Sequence, residues 1–128
     1  MSVRNANPED AATYAGWLQE AEHVNLVDRK VYEYPTTQTL VVSDKQGSPL
    51  LMDSFHAVLV MEALAPRPGI TPLQEARALN ELFEKVKQIA RDAGIKEIMF
   101  GCKDETLINF VRLRGFEELP FAVLRYKL

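Results

Sequence analysis

The feature that most constrains this chain is a long helical signature between residues 71 and 94. Thr71-Pro72-Leu73-Gln74 combines a capping box with a proline at the first helical position. Leu79, Leu82, Phe83, Val86, Ile89 and Ala90 then recur at helical spacing and form one apolar stripe. Glu81 and Lys85 pair on the outer face, and Gly94 supplies the stop. A helix with one apolar stripe needs a partner surface, and the neighbouring segments provide it.

Those neighbours read as strands. Thr39-Leu40-Val41-Val42-Ser43 is β-branched and apolar, and Asp44-Lys45-Gln46-Gly47 makes a turn. Strands continue over Pro49–Phe55 and Ala57–Leu64, the second so apolar that burial on both faces is expected. Three consecutive strands predict an antiparallel meander, which Pro66, Pro68 and Gly69 end. Ser2–Ala6 predicts a first strand. Asn7-Pro8-Glu9-Asp10 starts a helix carrying Ala11, Tyr14, Ala15, Leu18 and Ala21 on one face. The stretch from His23 to Pro35 allows a helical turn and irregular chain. After the long helix, Ile95–Phe100 predicts a strand, Asp104 caps a helix that Gly115 ends, and Phe121–Leu128 alternates as a closing strand. The order is β-α-β-β-β-α-β-α-β: an α/β domain over residues 1–128, with a mixed, mostly antiparallel central sheet flanked by helices.

Composition excludes several function classes. Hydrophobic residues are 47% and charged residues 26% of the 128, an ordinary globular balance. A net charge of −3 argues against a nucleic-acid or anionic-membrane binder. Cys102 is the only cysteine, so neither an internal disulfide nor a cysteine metal cluster can form. No basic-then-apolar leader opens the chain and no apolar run reaches the ~20 residues that span a bilayer. A cytoplasmic protein is expected.

The element order, with Asp104, Leu107, Phe110, Gly115 and Phe116, resembles the GCN5-related N-acetyltransferase family. Members commonly show Asn-x-x-Ala-x-x-Phe-Tyr-x-x-x-Gly-Phe in their last helix. Aligned on Gly115-Phe116, Asp104 falls on the Asn, Leu107 on the Ala, Phe110 on the Phe and Val111 on the Tyr. The resemblance implies an acetyl-CoA-dependent N-acyltransferase whose acceptor is a small-molecule or protein amine. It also implies that the backbone of Ala63, Leu64 and Ala65 orients the thioester carbonyl, and that Gln74, Arg77, Asp104 and Phe110 contribute to the cofactor site. A homodimer is compatible with this reading.

Two departures qualify it. Family members cradle the pyrophosphate in Gln/Arg-x-x-Gly-x-Gly/Ala, where glycines let backbone N–H groups approach the phosphate. Here Gln74 takes the first position, with Arg77 and Leu79 where the glycines belong, and Thr71-Pro72 starts the helix about a turn early. Val111 lacks the tyrosine hydroxyl that many members use to protonate the leaving thiolate. A non-catalytic module that has lost acyl-CoA binding is therefore the alternative.

Glu62 and His56 are the candidate catalytic bases. A carboxylate inside Val58–Leu64 is out of place in a buried strand unless it faces a polar cleft or has an ionic partner. His56 precedes the same strand, and histidine is a residue type suited to general-base work, though a lone histidine there also serves as a turn residue. Cys102 reads as a small buried hydrophobe, and Tyr32 and Tyr34 as either cleft or packing aromatics. His23 beside Glu20 and Glu22 lacks a second histidine at ligand spacing, so no metal site is predicted.

Overall fold

The computed structural model describes residues 1–20, 33–119 and 122–128. Three antiparallel strands, β1 (Ser2–Asn5), β2 (Gln38–Ser43) and β3 (Pro49–Phe55), form one sheet in sequence order. Val3 opposes Val42 and Val41 opposes Met52, and a register irregularity interrupts the β2–β3 ladder between Val42 and Ser43. Thr39 opposes Ser54, and their hydroxyls lie 2.7 Å apart. The hairpin turns where Asp44 Oδ1 accepts from the N–H groups of Gln46 and Ser48, with Gly47 at a φ of 83°. Val41, at the centre of the sheet, is fully buried.

Helix α1 (Asp10–Glu20) follows β1. Asn7 Oδ1 accepts from Glu9 and Asp10 N–H, so the predicted cap acts in a turn just before the helix. Arg4 grips Asp10 with two nitrogens at 2.7 and 3.0 Å, tying β1 to the helix start. Ala21 and most of the His23–Pro35 stretch, including Tyr32, lie outside the described residues, as does Phe121.

The second part is a β-α-β unit. Strand β4 (Leu59–Met61) runs parallel to β5 (Ile98–Phe100), and α2 (Pro72–Asp92) crosses between them. This corrects the predicted meander: the third apolar strand pairs with β5 and makes no ladder with β3. The reason is topological, because a long helix returns the chain in the same direction and delivers a parallel partner. The strand is also shorter than predicted, and Val60 is 49% exposed, so its two faces are not both buried.

The predicted caps of α2 are present. Thr71 Oγ1 accepts from Gln74 N–H while Gln74 Oε1 accepts from Thr71 N–H. At the other end Gly94 N–H bonds to Arg91 O and Ile95 N–H to Ala90 O, the paired bonds of a Schellman cap. Ala90 is buried, and Phe83 and Val86 are half-buried. Leu82 and Ile89, expected in the same stripe, stand exposed among the described residues. Helix α3 (Glu105–Arg112) is capped by Asp104, and Gly115 at a φ of 96° closes it, with Phe116 N–H bonded to Val111 O. Phe116 folds back on Phe83 of α2 and Phe100 of β5, with ring centroids 4.9 and 6.1 Å apart.

Among the described residues, the predicted closing strand does not form. Residues 122–128 are exposed and form no ladder with any other described residue. Alternation prepares a segment for a sheet but does not by itself supply the neighbour. No described helix is long and apolar enough to cross a membrane.

Candidate functional site

In a sheet with parallel strands, side chains and loops at the carboxyl ends are the usual place for ligand chemistry. Here those ends carry Glu62 and Gly101. Gly101 N–H bonds to Met61 O at 2.9 Å, which holds the two strand exits together. Glu62 lies directly over Gly101: a β-carbon on that glycine would come within 3.8 Å of Glu62 Oε2. Glu62 is exposed and forms no ion pair among the described residues. It sits just past β4 instead of inside it and is exposed, so it carries no burial penalty for an ionic partner to offset.

Ala63 follows at a φ of 59°, the one described non-glycine residue with a positive φ. A β-carbon there costs on the order of 1 kcal/mol, and such strain persists where the surroundings impose it. The turn redirects the backbone that leads into half-buried Leu64 and exposed Ala65. Together these residues place a carboxylate and a re-aimed stretch of backbone at one strand end.

Several other candidates are committed to the fold. Gln74 is used twice by its capping box. Arg77 is exposed within α2, and the backbone of residues 77 to 79 is helical, so the resemblance's glycine cradle has no counterpart there. Asp104 Oδ1 accepts from Thr106 and Leu107 N–H, and its own N–H donates to Cys102 Sγ. Phe110 is covered by the Arg114 guanidinium, 3.2 Å from the ring centroid, which Asn80 and Phe110 O hold in place.

His56 lies at the opposite end of β4 from Glu62. Its ring meets Tyr34 edge-on at 5.2 Å, and Tyr34 donates to Glu97 Oε1 at 2.9 Å. Its Nδ1 is buried without a hydrogen-bond partner. The two candidate bases therefore flank the strand and do not converge on one reacting group. His23 and Glu22 lie outside the described residues, and no described cluster of His, Cys, Asp or Glu is arranged to hold a metal.

A groove of about 1180 Å³ runs the length of β5, from Tyr34 and Glu97 to Gly101 and Cys102, with Phe83 and Phe116 in its wall. It meets the carboxyl-end site at Gly101. Gly101 was not singled out by the sequence; its signal was a glycine immediately after an apolar strand. The Ala63 conformation had no signal, because alanine is not a left-handed residue by habit. Comparison with known protein families finds no matching model, and no curated protein is significantly similar.

Proposed function

We propose that the chain transfers an acyl group from an acyl-CoA thioester to an amine at the carboxyl ends of β4 and β5. The observation that carries this reading is Glu62, exposed and without an ionic partner among the described residues, beside the left-handed turn at Ala63. Glu62 would take the proton from the acceptor ammonium, and the amine nitrogen would attack the thioester carbon. Backbone N–H groups after the Ala63 turn would face the oxygen as the C–S bond breaks. The departing thiolate would take, relayed through water, the second proton that the nitrogen loses as the amide forms, since Val111 has none to give. The phosphates would depend on the exposed arginines Arg67 and Arg77 near the start of α2, because the glycine cradle is replaced by helix.

A second reading, a non-catalytic module with this fold, is favoured by the closed capping box. It occupies the donors that would otherwise meet a phosphate.

Thermal unfolding with and without acetyl-CoA separates the two. At ~100 times its dissociation constant a ligand specific to the native state adds ~2.7 kcal/mol, a rise of several degrees in Tm. Glu62→Gln should keep the wild-type Tm, lose transfer to amines and still show that rise. Absence of a shift at millimolar acetyl-CoA and other acyl-CoAs would sink the transferase reading.

A further inference from the structure

Strand β5 is open along one side. Ile98, Met99 and Phe100 ladder with Leu59, Val60 and Met61, and among the described residues no strand lies on their other edge. An exposed edge presents N–H and C=O groups ready to pair with another chain. The groove along this edge is walled by Phe83 and Phe116, and Val123 is the last residue to touch it.

Beyond that point the chain stands clear of its own body. Val123 is 64% exposed, Leu124 91%, Tyr126 88%, and Leu128 fully exposed. Leu124, Tyr126 and Leu128 alternate with Arg125 and Lys127, so an extended 122–128 has an apolar face and an opposite face that carries Arg125 and Lys127 beside Val123. A strand-patterned arm lies outside the body while the edge it would fit stays unfilled. That is the arrangement two identical copies satisfy by reciprocal exchange.

We propose that residues 122–128 of one copy add as a strand to β5 of a second copy, and the reverse, closing a two-fold dimer. The apolar face of each arm covers the Phe83 and Phe116 wall of its partner, and Arg125 and Lys127 face outward. This concerns assembly and does not depend on the acyl-transfer reading.

Light scattering on column-resolved protein across a wide concentration range tests it. The full chain should reach twice its 14.5 kDa mass as concentration rises. Deleting residues 122–128 should hold the mass at one chain, and so should Tyr126→Pro, since proline removes a ladder donor. The arm is exposed in the single chain, so neither change disturbs the monomer's packing. A monomer at every concentration, or a dimer that survives both changes, would overturn the proposal. So would a monomer whose 122–128 amides resist hydrogen exchange, because the arm would then be folded onto its own β5.

Discussion

The antiparallel sheet β1–β3 and the parallel unit β4–α2–β5 differ in how much of their bonding capacity is spent. In the first, β2 is paired on both sides, Val41 is sealed, and Arg4 and Asp10 satisfy each other. In the second, the ladder covers only residues Leu59–Met61 and Ile98–Phe100, both its outer edges are open among the described residues, and Glu62 and the Ala63 turn face solvent. Saturated groups stabilise a fold, whereas unspent ones remain available to a ligand or partner. The first half is the better-satisfied scaffold, and the chemistry proposed above falls in the second.

The largest effect expected from this contrast is on stability. Val41→Ala opens a cavity at the one fully buried large side chain among the described residues and should cost about 2–3 kcal/mol in urea unfolding. Val60→Ala in β4, at 49% exposure, should cost less than about 1 kcal/mol. Equal losses at the two positions would break the comparison.

Caps come next. Gly115→Ala places a β-carbon at a φ of 96° and should lower stability by about 1 kcal/mol. No side chain or backbone atom lies within 4 Å of that β-carbon, so the loss is conformational and not a clash. A neutral substitution would mean that Gly115 does not hold this conformation in solution.

The scaffold half should also show a pH signature. The Arg4 guanidinium, and then Asn7 N–H, hold the Asp10 carboxyl down at about 2. Because the folded value lies below the ~3.9 of an unfolded aspartate, the pair's contribution is complete above that value and disappears as pH falls through about 2. The urea midpoint of the wild type should therefore fall more steeply than that of Asp10→Asn between these limits. Parallel curves would contradict the pairing.

What the sequence revealed follows the same division. The caps at Asn7, Thr71, Gly94, Asp104 and Gly115 were legible because each depends on side-chain or backbone chemistry within a few residues. So were β1–β3, whose turn at Asp44–Gly47 fixes the hairpin locally. Pairing of β4 with β5 was not, because the partner lies beyond a 21-residue helix and an apolar run suits either direction. The exposure of Leu82, Ile89 and residues 122–128 was hidden for a related reason: periodicity marks a face that can be covered, not what covers it. At the candidate site, Glu62 was visible as a misplaced charge, but its solvent exposure and the Ala63 turn arise only from where β4 ends.

The central claim is that ligand chemistry belongs to the parallel half alone. Titrating the isotope-labelled chain with acetyl-CoA, and following each backbone amide by NMR, tests it most directly. The account predicts the largest shifts at Glu62–Ala65, Gly101 and the first turn of α2, with Thr39 and Val41 in β2 unmoved. Shifts centred on β1–β3, or none at millimolar acetyl-CoA, would contradict it.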